Sequence, residues 1–208
     1  FVHEAMRLMT DMKIRLLDQY REMGALTLNN QSMIGSASYT FTDELPGYDY
    51  MQNSVVEKNL WGYAQAQELA GASPEMLEEF ILPYQAEPLS RFGLSSYGCC
   101  EAMDVKIQSV AKFVRNLRIL SISPYSNHRQ AAEISGGRYV LACKMHPDLI
   151  AHFDEARVEA SVQNILESTN GCPVTLTFAE IIDYGQDENV FGKSVQIAKR
   201  VVDTHWKN

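Results

Sequence analysis

The stretch Phe92-Gly93-Leu94-Ser95-Ser96-Tyr97-Gly98-Cys99-Cys100-Glu101 decides how the rest of the chain is read. Its first half is a short buried strand. Gly98 stops the strand, and three soft or ionisable side chains follow in succession: Cys99, Cys100 and Glu101. Upstream, Ser73 as N-cap and Pro74 at the first helical position open a predicted helix over 74–91, since the missing proline N–H costs nothing there. Downstream, a helical stretch covers about 103–114. The unit is helix–strand–helix, with candidate ligands at the strand's C-terminal end, where α/β folds build their sites. Adjacent cysteines on one extended strand point to opposite faces, so at most one of the pair is expected to face a barrel interior.

Working outward, residues 1–22 place Met6, Met9, Leu16, Leu17 and Tyr20 among charges, an amphipathic pattern that Gly24 terminates. The methionines of this helix read as core or interface filling. Ala25-Leu26-Thr27-Leu28 reads as a short strand, and 61–70 as a short helix. Further strands are expected at 117–123, 138–143 and 174–178, with helices at 128–135, 154–168 and 191–205. Alternation of strands and helices predicts a parallel sheet. Five β/α units are visible in one 208-residue domain. The fold expected is therefore α/β, the C-terminal portion of a (β/α)₈ TIM barrel, whose full form takes about 250 residues. Phe1 opens in mid-helix, and the expectation is of a piece of something longer, with missing strands supplied upstream or by a second copy in a homodimer.

Composition narrows the function. A net charge of −8 argues against nucleic acid as the main partner. No apolar run long enough for a transmembrane helix occurs, so no membrane association is expected. Residues 1–20 carry charges throughout, without the apolar core of a signal peptide, which points to a reducing cytoplasm in which Cys99, Cys100, Cys143 and Cys172 stay free. The long polar segment 31–59 has two readings. One is a lid over the strand ends, with Asp43 and Glu44 reaching inward and Tyr39, Phe41 and Tyr48 covering substrate. The other is a surface that packs on a neighbouring subunit.

Three segments carry a family likeness: Leu60-Trp61-Gly62-Tyr63-Ala64-Gln65-Ala66-Gln67-Glu68, Ser73-Pro74-Glu75-Met76 with Glu78-Glu79-Phe80-Ile81-Leu82-Pro83-Tyr84, and Tyr97-Gly98-Cys99-Cys100-Glu101. Together with Asn116-Leu117-Arg118, Ser121-Ile122-Ser123-Pro124 and 144–147, they resemble the uroporphyrinogen decarboxylase superfamily, and within it an uncharacterised branch. The resemblance implies a (β/α)₈ barrel and two chemistries. One is cofactor-independent decarboxylation of porphyrinogens. The other is cobalamin-dependent methyl transfer to a thiol activated by zinc. Tyr97-Gly98-Cys99-Cys100 is similar to the methyltransferases' His-x-Cys-Gly motif, with Cys99 on its zinc-binding Cys and Tyr97 in place of its His.

The strand-end residues Cys99, Cys100, Glu101, Ser123, Cys143, Lys144, His146 and Glu180 would share one rim if the sheet curls. Zinc takes Cys, His and carboxylate ligands, three from the protein with one position open for catalysis. Cys99, His146 and Glu180 form the expected metal set, with Cys143 as a substitute. Glu101, Glu180 and His146 are the expected acid/base groups. Cys172 reads as structural, and His3, His128, His152 and His205 as surface histidines. The function expected is methyltransferase-like, acting on a small-molecule substrate with zinc and a corrinoid or corrinoid protein as methyl donor. The alternatives are a metal-free decarboxylase, disfavoured because Arg118 and Arg138 sit at strand starts, and a non-catalytic module that binds a corrinoid or a protein.

Overall fold

The structure, a computed structural model, describes residues 1–35, 38–52, 54–178, 180–185 and 187–205. It opens with helix α1 (Val2–Glu22) and a two-stranded antiparallel ribbon, β1 (Met33–Ile34) and β2 (Ser38–Tyr39). Strand β3 (Trp61–Ala64) follows, then helices α2 (Pro74–Phe80) and α3 (Leu82–Leu89). The rest alternates: β4 (Leu94–Tyr97), α4 (Ile107–Phe113), β5 (Leu117–Ile122), α5 (His128–Ser135), β6 (Val140–Met145), α6 (Asp148–Ala151), α7 (Glu155–Ser168), β7 (Val174–Phe178) and α8 (Val190–His205). Strands β3 to β7 form one all-parallel sheet in chain order, each from β4 onward paired with the strand before it. Right-handed crossovers that always advance in one direction put the helices on a single face. Among the described residues no helix is long and apolar enough to cross a membrane.

The two faces of the sheet are filled differently. Leu120, Ile122, Leu141, Cys143 and Met145 pack against Leu77, Ile107, Val110, Val158 and Val162 of the helices, and all are buried. On the other face Trp61, Leu94, Ile119 and Ala142 form a second cluster with Leu45, and Ile34 and Val140 pack against it. Leu45 and Ile34 belong to the 31–59 segment. That segment therefore covers the face of the sheet opposite the helices, called the inner face below, and Ser38 Oγ meets Ser96 Oγ there at 2.5 Å. Glu44 pairs with Arg118 through both carboxylate oxygens (2.5 and 2.9 Å) at the starting end of β5. Phe41 and Tyr48 are exposed. The lid reading is corrected accordingly: Glu44 is anchored at the opposite end of the sheet from the cysteines.

Three local expectations also change. Residues 25–28 form no regular element, and the fifth strand is instead β3, which 61–70 had suggested as helix. Strand geometry suits Trp61-Gly62-Tyr63 because the two aromatics alternate onto the inner face. Gly62 lets the helix layer come close, since a Cβ there would lie 2.8 Å from the Phe92 ring. The helix expected over 74–91 is two helices meeting at Ile81, whose φ of −122° is not helical. Pro83 forces the break, having no N–H to give and a ring that crowds the carbonyl four residues back. Pro88 likewise leaves Tyr84 O without its helical donor, and Thr10 Oγ1 of α1 donates to it at 3.2 Å. Helix α1 is further tied down by Arg91, which pairs with Asp18 (2.6 Å) and with buried Glu57 (2.5 Å).

Candidate functional site

The site is built on the turn after β4. Gly98 adopts φ +100°, and a Cβ there would sit 3.0 Å from Met103 Cγ and 3.1 Å from Ser121 O, so a side chain is excluded by both backbone and space. This turn takes the chain out of strand geometry before the cysteines. The expected alternation therefore fails, and Cys99 Sγ and Cys100 Sγ lie 3.4 Å apart on the same side. The turn is held by its neighbours. Gly98 N donates to Ala64 O (3.0 Å), the Tyr63 hydroxyl donates to Gly98 O (3.2 Å), and Ser121 Oγ donates to Cys99 O (3.3 Å).

Glu101 completes this scaffold. Its two carboxylate oxygens accept the backbone N–H of Ala66 (3.0 Å) and of Cys99 (2.8 Å), and the side chain is buried. Expected as an acid/base group, Glu101 is placed instead as the clamp that joins the ends of β3 and β4.

Three donor groups converge beside the turn. Cys99, Cys100 and Glu180 offer ligand atoms that all lie within 4.8 Å of one another. The Cys100 thiol donates to Glu180 Oε1. Glu180 reaches the cluster from just beyond β7, with a backbone φ of +61° that a glutamate rarely adopts. Lys144 Nζ faces all three, at 3.3 Å from Glu180 Oε1, 3.5 Å from Cys100 Sγ and 3.9 Å from Cys99 Sγ. Lys144 is only 1% exposed and sits on the inner face of β6, since Leu141, Cys143 and Met145 take the helix side.

His146 is outside this group. It is exposed beyond β6, its Nδ1 accepts the Asp148 N–H at 3.2 Å, and its ring stands edge-on to Tyr125 at 5.8 Å. Among the described residues the group able to hold a metal contains Cys100 where His146 was expected. Cys143 is buried on the helix side of the sheet and Cys172 Sγ contacts Ala132 O, so neither joins the cluster. Ser123 is buried with its Oγ 3.2 Å from Ser126 Oγ. His128 is partly buried rather than a surface group, and burial lowers its pKa against the pull of Asp104.

The electrostatics separate two uses of the thiols. Burial first, then the hydrogen bonds with Glu180 and Cys99, push Cys100 up to about 12, although Lys144 pulls the other way. The bond from Cys100 holds the Glu180 carboxyl below its ordinary value, with burial opposing and Lys144 assisting. A thiol that keeps its proton at neutral pH is a poor free nucleophile. The same thiol loses that proton when a soft metal takes the sulfur. Two thiolates on one tetrahedral zinc lie roughly 3.8 Å apart, given zinc–sulfur bonds of about 2.3 Å. The 3.4 Å separation here needs only a small adjustment. Two sulfurs and a carboxylate are also the donor types zinc prefers, and they leave a fourth position open. The residues fit a zinc ion.

A cavity of about 400 Å³ lies between α1 and the end of β3, with Tyr63, Gln65, Thr10 and Tyr84 in its wall and none of Cys99, Cys100, Lys144 or Glu180. Tyr63 thus borders both the cavity and the cysteine turn. Burial raises its phenol pKa first, and the neighbouring Cys99, Glu101 and Cys100 add to the rise. Lys144 and Cys100 are the residues that sequence reasoning undervalued. The signal for Lys144 was one lysine inside the apolar run Val140-Leu141-Ala142-Cys143-Lys144-Met145, since a buried lysine requires partners.

No protein-family model matches the chain, and no curated protein matches it.

Proposed function

We propose that this chain carries a zinc–dithiolate–carboxylate site, held by Cys99, Cys100 and Glu180, and that it catalyses methyl transfer to the sulfur of a small thiol. The convergence of these three donors at the C-terminal end of a parallel sheet carries the reading. When bound, zinc would lower the pKa of an incoming thiol and hold it as a thiolate at the open position. The chain's own groups do the rest. Glu101, Gly98 and Tyr63 fix the turn that aims the sulfurs.

The resemblance to the uroporphyrinogen decarboxylase superfamily supports the same reading, with the sheet as part of a (β/α)₈ barrel and the methyl group delivered from a corrinoid. Decarboxylation of a polycarboxylate ranks lower. Arg118 is engaged by Glu44 at a strand start, and Arg138 donates to Ser135 O and Ile134 O at the same end of the sheet.

Elemental analysis of protein purified without chelators or a histidine tag tests the proposal. About one zinc per chain is expected for the wild type. Cys99→Ser and Cys100→Ser should both lose it, whereas Cys143→Ala should retain it. Methylcobalamin-dependent methylation of thiols by the zinc-loaded wild type is the matching activity. Wild type free of zinc under these conditions would overturn the metal reading.

A further inference from the structure

The three donors of the cluster are all anions once a metal is bound: two thiolates and a carboxylate. A divalent ion leaves one negative charge over, next to Lys144 and Cys99, which are both buried. Glu180 is half-exposed, so solvent screens part of that charge, but on the buried side, beside Lys144 and Cys99, uncompensated charge is costly. Lys144 faces every donor, at 3.3, 3.5 and 3.9 Å from the oxygen and the two sulfurs. A zinc ion bonded to Glu180 Oε1 at about 2.1 Å would lie no more than about 5.4 Å from Nζ. The ammonium and the ion would then share one cage.

We propose that Lys144 is a positioning residue that supplies the third positive charge of this site, so that a divalent ion, two thiolates, a carboxylate and an ammonium together make a neutral unit. The proposal rests on the metal reading above. Its physical content is a balance of distances. The ammonium repels the ion, but it also hydrogen-bonds the two thiolates that ion binding creates, and charge-assisted hydrogen bonds are the strong ones. Lys144 therefore strengthens metal binding even though it is itself a cation. It also makes the site selective for charge, because a monovalent soft ion such as Cu(I) leaves the unit one positive charge short.

Zinc dissociation constants, measured by competition with a chromophoric chelator, test this on the full chain. Lys144→Met and Lys144→Gln should each weaken zinc binding by at least about tenfold, the worth of one charge-assisted hydrogen bond. Lys144→Arg, which keeps the charge, should recover most of that loss. Glu180→Gln combined with Lys144→Met should lose less than the two single losses together, because removing one anion and one cation restores neutrality.

Wild-type binding with equal or tighter binding by Lys144→Met would overturn the role of Lys144 and leave the metal site standing. No zinc bound by wild type or by any lysine variant would overturn both. Should the neutral variants fail to fold, the Lys144 ammonium resonance of the wild type decides. It should shift and become protected from solvent exchange as zinc is added, and an unchanged signal rejects the proposal.

Discussion

Two residues of the cysteine turn show how closely chemistry depends on single atoms. Glu101 spends both carboxylate oxygens on backbone N–H groups of Ala66 and Cys99. Glu101→Gln leaves one of those N–H groups facing an amide NH₂, at a cost of about 1–3 kcal/mol. The expected outcome is a lower urea midpoint together with weaker zinc binding, although Glu101 itself is no ligand. Zinc binding unchanged beside a lowered midpoint would show that the turn holds the cysteines without it. At this scale the sequence was partly legible. Cys99 and Glu180 were readable as candidates because each follows a strand. Cys100 was readable as a strand-end residue too, but not as a neighbour of Cys99 on one side, because the alternation rule assumes extended backbone and Gly98 at φ +100° breaks it. His146 was a reasonable choice by spacing, yet the strand continues through Met145 and carries it past the rim.

At the scale of elements, the open side of β3 shows how a parallel sheet is terminated. Asn29 donates its side-chain amide to Trp61 O (2.9 Å) and accepts from Trp61 N (3.0 Å), so one side chain occupies the hydrogen-bonding positions a further strand would use. Asn29→Ala removes both bonds. It is expected to cost about 1–3 kcal/mol and to promote self-association through the uncovered edge. Urea denaturation and light scattering read the two effects, and a variant as stable and monodisperse as wild type would remove Asn29 from this role. The segment around Asn29 illustrates why β3 was missed. Trp61-Gly62-Tyr63-Ala64 is too short to show a period, and its strand character comes from packing on Leu94 and Phe92. The longer elements, β5, α5, α7 and β7, were legible because their apolar patterns and caps agree. Asn127 caps α5 and Asp154 caps α7 through their side chains.

For the whole molecule, the buried thiols set a limit on alkaline stability. Cys143 is pushed up to about 12 mainly by burial, from an ordinary value of 9.0. Between those values the folded chain holds protons that the unfolded chain has released. This contribution to stability is therefore complete below about pH 9 and lost as pH rises toward about 12. Tyr63 and Tyr97, whose pKa values burial also raises, act in the same direction. The urea midpoint should fall between about pH 8 and about pH 10.5, and Cys143→Ala should flatten that dependence. An identical slope in the variant would assign the loss to other groups. The parallel α/β architecture was legible from the alternation of elements. The plug of the inner face by 31–59 was not, because Ile34 and Leu45 lie eleven residues apart in a largely polar segment with no periodicity to mark them.

The simple strand order has a consequence for how the molecule is made. Each strand pairs with its predecessor, so a chain leaving the ribosome can lay down the sheet vectorially, on an inner plug already synthesised. Cys100 and Glu180 are 80 residues apart, and the glutamate follows the last strand. The donor set is therefore finished only when the sheet is finished, and a nascent chain exposes two thiols well before it can present the complete trap.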